Sequence, residues 1–156
     1  FLALQGVGFA CYPAAMATAE CEEVDALILD SCYDTFENAV LNRMEHWTKW
    51  NFFPVNNTIR GMFSSVSGVE TETCSMTIPL QRLNKKSIYF VQGSADELFG
   101  SDHISSLSAV TMKNNQTEVW LLPDVGHLRA ASYDSETYGN KMTDFLQKSY
   151  QTEPSA

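Results

Sequence analysis

Four short runs of apolar residues punctuate this chain, and stretches with helical spacing lie between and after them. The runs are nearly continuous and do not alternate with polar positions. That pattern is typical of parallel strands that are covered on both faces, whereas a half-exposed strand alternates. We therefore predict strands near residues 1–5, 24–30, 87–92 and 118–122.

Helices are predicted between and after these strands. Their ranges are 9–20, 34–50, 101–112 and 135–148. Residues 51–77 are less regular and are predicted as a loop with a short helix near 57–66. Alternating strands and helices predict a three-layer α/β/α domain with a mainly parallel sheet, because right-handed crossovers place helices on both faces.

The length and composition of the chain fit one globular domain. Its 156 residues are 44% hydrophobic and 19% charged, which is not a disordered composition. We assign residues 1–150 to the domain and residues 151–156 to a disordered polar tail. The formal net charge of −9 argues against a nucleic-acid partner or an anionic membrane surface, since both favour basic patches. No apolar run approaches the length of about 18 residues that a membrane span requires.

The cysteines give no sign of a metal site. They are Cys11, Cys21, Cys32 and Cys74. No pair has C-x-x-C spacing and none clusters with histidine, so neither a metal nor another cofactor is expected. Two glycosylation sequons begin at Asn56 and Asn115, but such triplets often arise by chance. These features do not determine the cellular compartment, and they slightly favour an intracellular location.

Candidate chemistry follows three of the predicted strands. Residues 6–10 form a glycine-rich turn after the first strand, Asp96 follows the third, and His127 follows the fourth. Ligands of parallel sheets bind at these carboxyl ends. A turn, then an acid, then a histidine is the chain order of one kind of nucleophile–acid–base triad. In such a triad the histidine accepts the proton of the nucleophile, and the carboxylate fixes its tautomer.

From Leu2 to Leu146 the chain resembles the C-terminal half of an α/β hydrolase of the serine aminopeptidase-like and esterase group. In that group G-x-S-x-G and an alanine-rich helix precede V-x-A-L-I-L-D-S, which residues 24–31 match. The G-x-x-D motif that comes later in the family matches residues 93–96. The family's G-H pair, which precedes the closing helix, matches residues 126–127 and so includes His127. No motif is specific alone, but their order and spacing agree. The resemblance implies that Asp96 and His127 are remnants of the triad.

The chain departs from this family at the nucleophile. Residues 6–10 read G-V-G-F-A, so the nucleophile position falls on Gly8, which has no side chain. Covalent catalysis is therefore not expected there. Cys11 is an alternative nucleophile, but it lies three positions further along a helix, and that spacing rotates its thiol by most of a turn. The N-terminal half of the family fold is also missing, and with it one oxyanion-hole amide.

Several of these residues have simpler interpretations. Asp96 could brace a turn, and His127 could be a surface histidine. Ser31 is interpreted as a turn or cap residue, and His46 and His103 as helix-surface residues. An aromatic cluster near the lid region of the family is better explained by packing than by a pocket. Its members are Trp47, Trp50, Phe52 and Phe53.

Two functions are consistent with these features. The first is a catalytically degenerate α/β-hydrolase-like domain, with a binding or structural role in a larger protein or assembly. The alternative is an active serine-type hydrolase for an ester, thioester or peptide, which uses the Asp96–His127 pair and a nucleophile not identified in this sequence. The strand at residues 1–5 would normally be central in the family sheet. We expect it to pair with the preceding half of the same polypeptide or with another chain.

Overall fold

A parallel four-stranded sheet forms the centre of the protein. The computed structural model describes residues 1–48 and 74–152, together with positions 58, 61, 62 and 65. The strands lie side by side in sequence order, and each neighbouring pair is parallel. They are β1 (Ala3–Val7), β2 (Ala26–Asp30), β3 (Ser87–Gly93) and β4 (Gln116–Leu122).

Helices cover both faces of this sheet, so the predicted α/β/α architecture is confirmed. The helices with described bounds are α1 (Cys11–Glu20), α2 (Phe36–Thr48), α3 (Thr77–Arg82), α4 (His103–Thr111), α5 (Ala130–Tyr133) and α6 (Ser135–Gln151). Within the described residues, none of them is long and apolar enough to cross a membrane.

The two central strands are buried on both faces, which explains their continuous apolar sequences. Every residue of β2 and β3 is buried. Side chains such as Leu27 and Phe90 pack against α1, α3 and α4 on one face. Their neighbours, including Ile28 and Tyr89, pack on the opposite face, where Tyr89 stacks on Phe145 of α6 with ring centroids 5.0 Å apart. Burying one such side chain contributes about 1.5–3 kcal/mol.

The first strand begins and ends two residues later than predicted. We expected residues 1–5, but β1 is Ala3–Val7. The prediction took Gly6 as a terminator, whereas Gly6 remains in the strand and pairs with Leu29. The chain turns at Gly8 instead, where φ is +57°. A single glycine therefore did not end this strand, because neighbouring residues on both sides continue the ladder.

Other boundaries differ from the predictions by one to three residues. Strand β2 begins two residues late and β4 two residues early, while a 3-10 turn over Gly8–Ala10 opens the first helix. Helices α3 and α5 were not predicted, because six and four residues are too few to show a helical pattern. Helix α6 runs to Gln151, so the first residue assigned to the tail is helical.

Some predictions lie outside the described residues. They are the tail at 153–156, most of the short helix near 57–66, and the sequon at Asn56. The aromatic cluster is also among them, because Trp50, Phe52, Phe53 and the side chain of Trp47 are not described.

Two glycines allow neighbouring segments to approach closely. A Cβ on Gly6 would lie 2.6 Å from the Cα of Cys11, so Gly6 lets the start of α1 pack directly on β1. A Cβ on Gly93 would overlap the carbonyl oxygen of Val125. That oxygen also accepts a hydrogen bond from the backbone of Ala95 at 3.0 Å. The end of β3 and the loop after β4 are therefore held in backbone contact.

Replacing Gly93 with alanine is expected to lower the free energy of unfolding by about 1–3 kcal/mol, the usual cost of overpacking. Gly139 is a matched control, since it lies inside α6 and a Cβ there would meet nothing within 4 Å. Gly139→Ala should instead stabilise by about 0.5–1 kcal/mol, because alanine is favoured over glycine in a helix. Urea unfolding followed by circular dichroism measures both changes. Equal effects of the two substitutions would contradict the close approach at Gly93.

Candidate functional site

The turn after β1 has the geometry of a sharp strand-to-helix connection. Gly8 is buried, adopts φ of +57° and starts the 3-10 turn that leads into α1. Residues with a side chain rarely adopt this conformation. A Cβ at Gly8 would nevertheless have room, because it would lie 3.5 Å from the Cδ2 of Leu128, an ordinary van der Waals contact. The turn therefore has space for a side chain and none is present.

Asp96 lies in the turn that follows β3, and it is only 5% exposed. Its Oδ1 accepts hydrogen bonds from the backbone N–H groups of Leu98 at 3.0 Å and Phe99 at 2.9 Å. Its Oδ2 accepts a hydrogen bond from the side-chain amide of Gln92 at 2.8 Å. These bonds fix the orientation of the carboxylate before any contact with histidine is counted.

His127 completes a pair with this carboxylate. Its Nδ1 lies 2.8 Å from Oδ2 of Asp96, so the expected contact between the two residues is present. An ionised carboxylate can only accept, so Nδ1 carries the proton in this bond. The ring packs edge-on against Phe99, with centroids 4.4 Å apart. Nε2 has no hydrogen-bond partner within the described part of the chain.

The environment keeps Asp96 ionised. Burial acts to raise the pKa of its carboxyl, but the hydrogen bond and electrostatic attraction of His127 and the hydrogen bonds from the backbone of Phe99 and Leu98 act in the opposite direction. The pKa is lowered below its ordinary value of 3.8 as a result. A carboxylate with these donors is suited to hold an imidazole in one tautomer.

The turn at Gly8 and the pair lie at the same edge of the sheet. The side chain of Leu128, next to His127, is the nearest group to the missing Cβ of Gly8. The ring of Phe9 lies 5.2 Å from the ring of Phe99, which in turn contacts His127. The structure therefore brings together the three strand ends that the sequence singled out.

A polar network that the sequence did not reveal supports the loop of His127. Ser31 is buried with φ of +54°, and its hydroxyl donates to Oδ1 of Asp30 at 2.9 Å. The same hydroxyl accepts a hydrogen bond from the backbone N–H of Leu128 at 3.3 Å. The turn role predicted for Ser31 is therefore accompanied by a direct contact with the segment that carries His127.

The network continues to α6 and β1. The hydroxyl of Tyr138 donates to Oδ2 of Asp30 at 2.7 Å and accepts from the side-chain amide of Gln5 at 2.9 Å. Burial and the bond to Asp30 raise the pKa of the Tyr138 phenol, which keeps it a donor. The only hint in the sequence was an aspartate ending an otherwise apolar strand, since its partners lie far away in the chain.

Cys11 does not have the environment of a nucleophile. It is fully buried, and its Sγ lies 3.4 Å from the carbonyl oxygen of Asp30. Burial raises the pKa of the thiol well above 9.0, with smaller contributions from Cys32 and Asp30. A thiol that stays protonated reacts poorly, because the thiolate is the nucleophile.

The other two histidines lie on helices. His46 is exposed near the end of α2. His103 was expected at a helix surface, but it is half-buried, and its Nε2 lies 2.9 Å from the carbonyl oxygen of Cys32. Among the described residues, no group of three or more histidine, cysteine, aspartate or glutamate side chains could hold a metal ion.

Solved structures share this fold. An esterase from Pyrococcus furiosus has a TM-score of 0.72 at 16% identity, over 94% of this chain and 53% of the esterase. The acylaminoacyl peptidase of Pyrococcus horikoshii has a TM-score of 0.68 at 10% identity, over 99% of this chain and 25% of the peptidase. The esterase domain of a Rhodothermus marinus protein gives 0.65 at 12% identity, over 94% of this chain and 59% of that domain chain.

These proteins are α/β hydrolases, and the chain accordingly has part of the α/β-hydrolase fold. It spans about half the length of the two esterases and a quarter of the peptidase. No protein-family model and no curated protein sequence matches the chain. Identities of 10–16% relate folds and leave the chemistry to be argued from the residues themselves.

Asp96 is expected to make stability depend on pH. Its pKa is lower in the folded protein than the ordinary value of 3.8, so the unfolded chain binds this proton more readily. The stability that the carboxylate contributes is present above that ordinary value and is lost as the pH falls through the lowered folded pKa. Asp96→Asn should therefore destabilise the protein near neutral pH by about 1–3 kcal/mol, and should reduce the loss of stability in acid.

Urea unfolding at several pH values between about 6 and 3 measures this dependence. Asp144→Asn is the matched control, since Asp144 is exposed on α6 and the substitution removes the same charge. The control variant should keep the acid dependence of the unsubstituted chain. Parallel curves for all three proteins would show that Asp96 has no special electrostatic environment.

Proposed function

We propose that this chain is a catalytically degenerate α/β-hydrolase-like domain with a binding or structural role in a larger protein or assembly. The observation that carries the proposal is Gly8. It occupies the strand-to-helix turn where the resemblance places the nucleophile, and it offers neither oxygen nor sulfur. In active members a serine occupies such a strained turn so that its Oγ is exposed at the top of the sheet.

The Asp96–His127 pair is, in this proposal, a remnant of the acid and base. In an active triad the histidine takes the proton of the nucleophile and returns it to the leaving group, while the aspartate holds Nδ1–H. Here Asp96 holds Nδ1 and leaves Nε2 as an acceptor, but Gly8 has no hydroxyl to deprotonate. The arrangement supports hydrogen bonding to a ligand without acyl transfer.

The outer edge of β1 supports a role in a larger unit. Strand β1 pairs with β2, and no described strand pairs with its other edge. Four apolar residues in β1 or beside it in the chain are 41–50% exposed, namely Phe1, Leu2, Val7 and Phe9. Exposed apolar edges tend to pair with another chain or to aggregate. We therefore propose that strands from the preceding half of the same polypeptide, or from another chain, extend the sheet here.

A second candidate function is an active serine-type hydrolase acting on an ester, thioester or peptide. The intact hydrogen bond between Asp96 and His127 favours it. This candidate needs a nucleophile from residues outside the described part or from another segment, since Cys11 is buried and the Ser31 hydroxyl is engaged with Asp30.

The degenerate domain should show no hydrolase activity. A fluorophosphonate probe for serine hydrolases should not label it, and p-nitrophenyl esters should not be hydrolysed above background. Loss of a serine nucleophile lowers kcat by about 10⁶. Gly8→Ser is expected to restore little, because one oxyanion-hole amide comes from the family's N-terminal half. Probe labelling, or ester turnover that His127→Ala abolishes, would favour the active hydrolase.

The edge of β1 should control solubility. The chain expressed alone is expected to aggregate, and co-expression of the preceding segment should rescue it, as measured by size-exclusion chromatography. Val7→Lys places a charge near the edge and should reduce aggregation. Met112→Lys is the control, since Met112 is similarly exposed at 55% but lies at the end of α4. A soluble monomer with a sharp cooperative melt would argue against the proposed pairing.

A further inference from the structure

A basic groove lies at the end of the sheet opposite the Asp96–His127 pair. It has a volume of about 930 Å³ and is formed where β2, β3 and β4 begin. The end of α1 and the connections around residues 82–87 and 112–116 form its walls. None of the residues in the loop of His127 contributes to it, so the groove is separate from the site described above.

Positive charge is concentrated in this groove. Arg82, Lys85, Lys86 and Lys113 line it. These are four of only ten lysine and arginine residues in a chain whose net charge is −9. Two acidic side chains, Glu22 and Asp25, also line the groove, so its own charge stays positive.

Much of this positive charge is not neutralised by neighbours. Lys85 and Lys113 make no ion pair within the described part of the chain. The ammonium group of Lys86 donates to the backbone carbonyl of Glu22 at 2.8 Å, and the nearby carboxylate of Glu23 offsets part of its charge. Arg82 lies 3.8 Å from Glu20 in an exposed pair, and such pairs contribute little.

The backbone holds the lysines of the two walls together. The N–H of Lys85 donates to the carbonyl of Asn114 at 2.9 Å, and the N–H of Lys86 donates to Oδ1 of Asn115 at 3.0 Å. The side-chain amide of Asn115 also donates to the carbonyls of Leu83 and Thr111 at 3.1 and 3.0 Å. The lysine side chains therefore extend from two backbone segments that hydrogen bonds hold together.

The charge around the groove restricts the kind of anion that fits. Exposed Glu20 and Glu23 flank it on the side of α1, in addition to Glu22 on its wall. An extended polyanion such as a nucleic acid would have to pass over these carboxylates, which repel it. A compact anion can contact the ammonium groups inside the groove without reaching the acidic flank.

We propose that this groove binds a small ligand that carries several phosphate groups, through the ammonium groups of Lys85, Lys86 and Lys113. A ligand with several negative charges can contact more than one of the three lysines that line this groove. This binding is independent of the function proposed for the Asp96–His127 site.

Isothermal titration calorimetry with tripolyphosphate tests the proposal on the full chain. The double substitution Lys85→Gln and Lys113→Gln should weaken binding at least tenfold. The control is Lys141→Gln with Lys148→Gln, which removes the same charge from α6 outside the groove. The control should bind as the unsubstituted chain does, and rising salt should weaken binding.

Three results would overturn the proposal. One is the absence of tripolyphosphate binding at low salt. Another is an equal loss of affinity in both double variants, which would indicate a general charge effect. The third is binding of a single-stranded oligonucleotide as tight as that of tripolyphosphate, which would show that the acidic flank does not select compact anions.

Discussion

The arrangement of strand ends in this protein depends on the hydrogen bonds that satisfy one buried carboxylate. Asp96 accepts bonds from the side chains of Gln92 and His127 and from the backbone of Leu98 and Phe99. A buried charge without such donors would be costly. The donors belong to β3, to the turn after it and to the loop after β4. The hydrogen bonds to this one carboxylate therefore hold three segments of the chain together. The pair with His127 therefore stabilises the structure whether or not a nucleophile is present.

The two ends of the sheet satisfy their charges in opposite ways. At the carboxyl end the charge of Asp96 is enclosed and compensated by protein donors, and the ring of Phe99 packs against His127. At the amino end, Lys85 and Lys113 are exposed and leave their charge to solvent or to a ligand. In the first arrangement, hydrogen bonds hold the carboxylate in one orientation. The second keeps part of its interaction energy available for binding.

The sequence was most informative where burial is complete. Strands β2 and β3 were predicted because both faces are covered and most of their positions are apolar. The contact between Asp96 and His127 was expected because parallel strands bring their carboxyl ends to one edge, which is a consequence of topology. The edge strands were less well placed, since β4 is largely exposed and its pattern is weaker.

Hydrogen bonds that join Asp30 and Ser31 to residues far along the chain were not predicted. Ser31 and Leu128 are 97 residues apart, and Asp30 and Tyr138 are 108 apart. The basic groove was also missed, because Arg82 and Lys113 line one groove only where the crossover connections into β3 and β4 end at the same end of the sheet. The net charge of −9 indicated an acidic protein, and a sum over the whole chain does not show where lysine and arginine residues are concentrated.

The hydrogen-bonded series from Gln5 through Tyr138, Asp30 and Ser31 to Leu128 has a thermodynamic consequence. It connects the exposed side of β1 with the backbone next to His127. A strand that pairs with the open edge of β1 would restrain the backbone of Gln5, the first member of this series. Coupling between two sites is reciprocal. A ligand whose affinity for the loop of His127 depends on strand pairing at β1 would strengthen that pairing by the same factor.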